Sequence, residues 1–167
     1  VIIIGSSGDD TLKGGPADDL ILARAGKDSI DGGGGADLIA GGPGRDTING
    51  NDGNDTIFGG GGRDEIDGAA DSDLLVGGGG NDTIRGGDGA DRVFGSGGRD
   101  RLDGDDGADT LFGGGGTDNI AGGLGADRLN GVDRDDTFSQ QVGRDTLFGG
   151  NRPSERRIQI RPALEPG

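Results

Sequence analysis

Aspartate recurs at every ninth position through most of this chain: Asp10, Asp19, Asp28, Asp37, Asp46, Asp55, Asp64, Asp73, Asp82, Asp91, Asp100, Asp109, Asp118, Asp127, Asp136 and Asp145. No insertion breaks the register. Ahead of each lies a four-residue turn, all glycine in Gly32-Gly33-Gly34-Gly35 and in Gly77-Gly78-Gly79-Gly80. Glycine admits the positive backbone dihedrals of a tight turn, and its missing side chain lets carbonyl oxygens approach an ion. A hard carboxylate held at fixed spacing on a glycine-rich turn is calcium chemistry. Adjacent carboxylates such as Asp105 and Asp106 read as ligands or turn residues, not as an acid–base pair.

The same period supplies what must position those carboxylates. Two residues after each aspartate sits an apolar side chain, from Leu12, Ile21 and Ile30 through Ile84 and Val93 to Phe138 and Leu147. In the unit at residues 59–67 four glycines turn the chain and Asp64 closes the turn. Glu65-Ile66-Asp67 is then predicted as a three-residue strand with the isoleucine inward. Each turn reverses the chain, so two units make one coil of eighteen residues, and sixteen units fill residues 5–148, or 144 of 167.

The acidity belongs to the repeat. Formal net charge is −15, and without the sixteen periodic aspartates it would be +1. Cysteine and histidine are both missing, which excludes disulfides, the usual zinc sites and histidine acid–base catalysis, and leaves a metal only oxygen. There is no G-x-S-x-G elbow, no H-E-x-x-H pair and no G-K-[ST] after any glycine run, so the chain reads as non-enzymatic. Nucleic acid is unsupported as a partner, since only Arg152, Arg156, Arg157 and Arg161 cluster and no aromatic residue accompanies them. No apolar run approaches membrane-spanning length, so no membrane insertion is expected, and residues 1–4 lack the basic start and cleavage site of a signal peptide. A hydrophobic fraction of only 28% would also suit a disordered tract, but disorder does not require an apolar residue at every eighth place of nine. One apolar side chain per unit is a thin core for so glycine-rich a chain, and the carboxylates repel one another. Calcium is therefore expected to be part of the fold, with the metal-free chain largely unfolded.

The unit, intact in Gly50-Asn51-Asp52-Gly53-Asn54-Asp55-Thr56-Ile57-Phe58, resembles the calcium-binding nonapeptide of the repeats-in-toxin (RTX) family. That resemblance implies an all-β fold, a right-handed parallel β-roll in which two parallel sheets share a thin aliphatic core and calcium lies between stacked turns on both edges. Sixteen units give about eight coils, about 38 Å tall at about 4.8 Å per strand. The resemblance also implies the cage: turn carbonyls at places two and four of one unit, those at places one and three of the unit two later, and both aspartates. Between units five and seven this means Gly42, Gly44 and Asp46 with Gly59, Gly61 and Asp64. Carbonyls of Gly33 and Gly35 likewise face Gly50 and Asp52; Gly60 and Gly62 face Gly77 and Gly79; Gly78 and Gly80 face Gly95 and Gly97. Gly87 and Gly89 face Gly104 and Asp106, and Gly113 and Gly115 continue the series. Eight turns per edge leave seven gaps, hence up to about 14 calcium ions. Six oxygens suit calcium better than magnesium, which keeps waters in a near-ideal octahedron.

This reading divides the chain into an N-terminal edge strand at residues 1–4, the sixteen-repeat roll at residues 5–148 and a C-terminal tail at residues 149–167 with a short strand at residues 158–160. Several turns depart from the pattern: Ala17 and Asp71 at the fourth place, Ala23 at the first, and Val132, Arg134, Gln140 and Gln141 in the last two turns. Sites near the C-terminal end are expected to be weakest. Outward ninth-place residues also differ between sheets. Even-numbered units carry Leu22, Ala40, Phe58, Val76, Phe94, Phe112, Asn130 and Phe148, whereas odd-numbered units carry Lys13, Asp31, Asn49, Asp67, Arg85, Asp103, Ala121 and Ser139. Four of the five phenylalanines thus share one outer face, as a packing surface or as cover for the backbone.

Two functions fit these features. In the first, the roll is a calcium-dependent structural part of a secreted, extracellular or cell-surface bacterial protein. It associates with itself through its ends or the Phe58/Phe94/Phe112/Phe148 face into a filament, surface layer or matrix. In the second, it is the non-catalytic C-terminal calcium-binding module of a larger secreted hydrolase, epimerase or toxin, where such rolls aid secretion, folding or contact with extracellular polysaccharide. An ice-binding roll would need a regular outward threonine or asparagine array, which Arg45, Asn54, Arg63, Ser72 and Asn81 do not supply.

Overall fold

The computed structural model describes residues 1–133 and 135–149. Arg134 and the short strand expected at residues 158–160 lie outside the described residues. Among the described residues seventeen strands follow one another: β1 (Ile2–Ile4), β2 (Thr11–Lys13), β3 (Leu20–Leu22), β4 (Ser29–Gly34), β5 (Leu38–Gly44), β6 (Thr47–Asp52), β7 (Thr56–Gly62), β8 (Glu65–Ala70), β9 (Leu74–Gly80), β10 (Thr83–Gly89), β11 (Arg92–Gly98), β12 (Arg101–Gly107), β13 (Thr110–Gly116), β14 (Asn119–Gly125), β15 (Arg128–Val132), β16 (Thr137–Gly143) and β17 (Thr146–Phe148). Odd-numbered strands form one sheet in sequence order and even-numbered strands a second. Every strand pairing is parallel and joins residues eighteen apart, as in Ile39 opposite Ile57 and Ile84 opposite Leu102. The chain is a β-solenoid of about eight coils, with two nonapeptides per coil.

Eighth-place side chains from Ile21 to Phe138 are buried between the sheets, and Ile3, Leu12 and Leu147 pack against the ends of that file. Strand alternation turns the seventh and ninth places outward. Phe94 and Phe112, paired across β11 and β13, stack with ring centroids 5.0 Å apart. Phe58 and Phe148 on the same sheet are 41% and 53% exposed, while Phe138 is the core phenylalanine. On the other sheet Lys13 forms an ion pair with Asp31 at 2.8 Å.

Most strands are longer than the three residues predicted from the unit. From β4 to β14 each runs on through the first three or four residues of the following turn; β8, for example, covers Glu65–Ala70 rather than ending at Asp67. Residues with little or no side chain let successive turns come into register, so Gly60 lies opposite both Gly42 and Gly78. The turns are thereby stacked as tightly as the strands, and this stacking positions the carboxylates.

Candidate metal centre

Within a turn the four places are not equivalent. In the unit at residues 59–67, Gly60 and Gly62 have positive φ (115° and 141°). The first and third places carry ordinary backbone. At six second places without glycine the turn keeps its shape: Arg24, Asn51, Ala69, Ser96, Asp105 and Val132 all take φ between 63° and 81°, whereas Ser6 in the first turn does not. Each such residue accepts the left-handed conformation at a cost of about 1–3 kcal/mol. Asp71 at a fourth place does the same with φ 72°, whereas Ala17 does not. The turn therefore conserves its direction of travel, and with it the direction of its carbonyls, despite most departures from glycine.

Those carbonyls point into the gaps between turns. A Cβ added at Gly60 or Gly62 would collide with the carbonyl oxygens of Gly42 and Gly44, which are aimed at the next coil. A Cβ at Gly41 would lie 2.7 Å from the Gly59 carbonyl oxygen, which is aimed back, and 2.6 Å from Asp46 Oδ2. The space before each first-place glycine is thus bordered by its own aspartate and by the first-place carbonyl one coil on. It recurs at Gly59, with Asp64 Oδ2 and the Gly77 carbonyl both at 2.8 Å, and at Gly77, with Asp82 Oδ2 at 2.5 Å and the Gly95 carbonyl at 3.0 Å. Some turn carbonyls also serve the ladder: Gly15 accepts from the Gly34 N–H at 2.8 Å and Pro43 from the Gly26 N–H at 3.1 Å. A carbonyl has two lone pairs, so one such bond leaves a second acceptor position.

Each periodic aspartate divides its two oxygens between two tasks. Oδ1 accepts from the backbone N–H of the aspartate one coil earlier, as in Asp46 N–H to Asp64 (2.9 Å), Asp64 N–H to Asp82 (2.9 Å) and Asp82 N–H to Asp100 (2.8 Å). The series runs unbroken from the Asp10 N–H bond to Asp28 through the Asp127 N–H bond to Asp145. Oδ2 is buried and has no donor in thirteen consecutive aspartates, Asp28 through Asp136. Asp10 and Asp19 differ, their Oδ2 atoms accepting from the N–H of Ser6 (2.6 Å) and Gly15 (2.7 Å) in their own turns.

Desolvated carboxylates stacked one coil apart are costly when ionised. Burial pushes Asp46, Asp55, Asp100 and Asp136 up to about 6, and Asp73 and Asp109 up to about 7; the N–H bond to each pulls the other way, and neighbouring carboxylates add to the rise. A row of orphaned buried oxygens beside converging carbonyls fits a hard cation, and all-oxygen donors fit calcium. Among the described residues no three carboxylates converge, so a bound ion would depend on backbone oxygens as much as on aspartate.

The family model for the RTX calcium-binding nonapeptide repeat, four copies long, matches residues 4–39, 32–66, 40–75, 67–102 and 94–129. The chain belongs to that family. No curated protein matches it. The RTX roll is a calcium-binding structural repeat, and such repeats are typical of secreted bacterial proteins. Among the described residues no helix is long and apolar enough to cross a membrane.

Sequence reasoning missed one part of this edge. Polar fifth-place residues form a second, outer ladder: Asp9 accepts from the Lys27 N–H, Asp18 from Ala36, Asn54 from Ser72, Ser72 from Ala90 and Asn81 from Arg99, at 2.8–3.0 Å. The signal was a short acceptor side chain one place before the aspartate. It reads as turn chemistry until the coils are stacked.

Proposed function

We propose that calcium occupies the gaps between stacked turns on both edges and that the chain folds only when it does. The observation that carries this reading is the unbroken file of buried, donorless Oδ2 atoms from Asp28 to Asp136. Between units five and seven the ion is held by Asp46 and Asp64 with the carbonyls of Gly42, Gly44, Gly59 and Gly61, and the same set repeats for up to about 14 ions. The metal supplies the positive charge that the buried file lacks. The chain's own residues hold the oxygens in place and exclude water from one side of them.

The calcium-loaded roll then serves as a structural element of a secreted or cell-surface protein and packs against copies of itself through the phenylalanine face. Supporting this are the exposure of Phe58 and Phe148 and the stacked Phe94–Phe112 pair on the same sheet. Circular dichroism in millimolar calcium and in excess chelator tests the first part: β-signal in calcium and its loss in chelator are expected, and equal spectra would overturn it. Sedimentation of the calcium-loaded chain tests the second. Association that weakens in Phe94→Ser with Phe112→Ser is expected. A monomer at high concentration would point instead to an accessory module of a larger secreted hydrolase, epimerase or toxin.

A further inference from the structure

Where a strand runs into the following turn, a ninth-place residue meets a first-place glycine. The pair is Asp31-Gly32, Asp67-Gly68 and Asp103-Gly104 in three units, but Asn49-Gly50 and Asn130-Gly131 in two others. In an asparagine–glycine pair the backbone nitrogen of the glycine can attack the side-chain amide with no side chain of its own in the way. Asn49 lies within β6, extended and paired on both sides, opposite Asp31 and Asp67. Its Oδ1 is buried and has no hydrogen-bond partner. First-place N–H groups elsewhere donate into the next coil, Gly14 to the Asp31 carbonyl at 2.7 Å and Ala23 to the Ala40 carbonyl at 2.9 Å. Gly50 has no spare room: an added Cβ would collide with Asp55 Oδ2 and lie 2.9 Å from the Gly68 carbonyl oxygen.

We propose that Asn49-Gly50 is a site of spontaneous modification, shielded in the calcium-loaded roll and open in the metal-free chain. In the open chain the Gly50 nitrogen attacks Asn49 Cγ. The N–Cγ bond forms, the C–N bond of the side-chain amide breaks, and that nitrogen leaves as ammonia with the proton from Gly50, so that a five-membered succinimide remains. Water then opens the ring at either carbonyl. One opening gives aspartate; the other gives isoaspartate, in which the chain continues through the former side chain. No oxidant or reductant takes part. In the roll the ring cannot close, because Asn49 would have to leave its extended conformation while the coils on both sides hold it, and closure therefore waits on local unfolding. At the junctions with aspartate the ionised carboxylate is a poor target for a nucleophile and reacts slowly. Isoaspartate adds one atom to the main chain beside Gly50. The register of the coils, with Ile48 opposite Ile66 and Asn51 opposite Ala69, leaves no place for that atom, and the Gly50 carbonyl is one of those assigned to calcium. A chain left without calcium thus loses, at an interior coil, the capacity to take the ion up again. The proposal rests on the calcium reading, since calcium is what keeps the junction shielded.

The full chain is incubated near neutral pH in millimolar calcium and, in parallel, in excess chelator. Circular dichroism follows each sample, peptide mass spectrometry follows each asparagine, and labelling by an isoaspartyl methyltransferase separates isoaspartate from aspartate. Deamidation at Asn49 should run at least tenfold faster in chelator than in calcium. In chelator it should also run at least tenfold faster than at Asn119, which precedes isoleucine. On return to calcium the parent should recover less β-signal than Asn49→Ser treated alike, by the fraction of isoaspartate found at residue 49. Serine already occupies the ninth place at Ser139, and Asn130 reacts in both chains, so neither a misfit nor the second junction accounts for that difference. A chain folded in calcium and unfolded in chelator that deamidates equally in both, or no faster at Asn49 than at Asn119, would overturn the proposal and leave the calcium reading intact. Full recovery of β-signal by chains that carry the isoaspartate would overturn it too. Equal spectra in calcium and chelator would instead strike at the calcium reading itself, and the modification proposal would fall with it.

Discussion

The first turn on each edge and the turns stacked above it are built to one nonapeptide plan, yet their carboxylates end in different states. Asp10 and Asp19 close their own turns, each taking the N–H of the turn's second residue on Oδ2. Oδ2 is without a donor from Asp28 to Asp136, and from the unit of Asp37 onward the turn's second residue is drawn into the ladder between turns, as Gly33 is opposite Asn51 and Gly42 opposite Gly60. A single turn can thus satisfy its own aspartate. Stacking is what creates the demand for a cation, and the demand grows with each coil added.

The sharpest way to break this comparison is Asp82→Ala beside Asp10→Ala. In calcium the interior change should cost about 3–5 kcal/mol, the scale for stranding a buried charge, and should move the folding midpoint to higher calcium. Asp10, half-exposed and bonded to Ser6, should cost under about 1 kcal/mol. Equal midpoints in a calcium titration followed by circular dichroism would show that interior and terminal aspartates are alike.

A second test compares two glycines of one turn. A Cβ at Gly62 meets the Gly44 carbonyl and φ is 141°, whereas a Cβ at Gly61 meets nothing within 4 Å. Gly62→Ala should destabilise by about 1–3 kcal/mol or more, while Gly61→Ala should be neutral or stabilising by up to about 1 kcal/mol. Thermal melts in calcium read both. Similar losses at the two positions would mean that the turn has no preferred places.

Acid separates the metal-free and loaded states. Asp46, Asp55, Asp100 and Asp136 have folded pKa values raised to about 6, and Asp73 and Asp109 to about 7, from the ordinary 3.8, so between pH 7 and pH 4 the folded roll holds more protons than the unfolded chain. In chelator, β-signal should therefore rise as pH falls through that window. In limiting calcium it should fall first, since protons compete with the ion for the same oxygens. A chelated chain indifferent to pH across the window would contradict the desolvated file. The smallest effect belongs to the outer ladder: Asn81→Ala deletes one exposed bond to the Arg99 N–H and should cost about 0.5–1.5 kcal/mol.

What could be read from the chain and what could not follow from the same property, the strictness of the repeat. Sixteen aspartates in phase with a buried residue such as Ile84 or Leu102 two places on made the coil length and the inward file legible, and the resemblance to the RTX repeat supplied the parallel sheets. The turn interior was not legible, because glycine fills all four places in units such as residues 59–67 and hides that only the second and fourth need positive φ. Strand length was missed for a related reason: the ladder continues wherever residues are too small to obstruct it, and the nonapeptide pattern marks only side chains. That Lys27, Arg45, Arg63 and Arg99 share one edge escaped notice because they interleave with Ala36, Asn54 and Ser72 in steps of nine and separate only when alternate units fall on opposite edges.

The eighteen-residue pairing also sets how the molecule would yield under tension. Each coil is bonded only to the coil before and the coil after, so a pull on the end of the chain peels off the outermost coil, which has a neighbour on one side only, before those behind it. Freed, one coil pays out about 60 Å of extended chain. Such a rod would not snap at a threshold but lengthen in equal increments, one coil at a time.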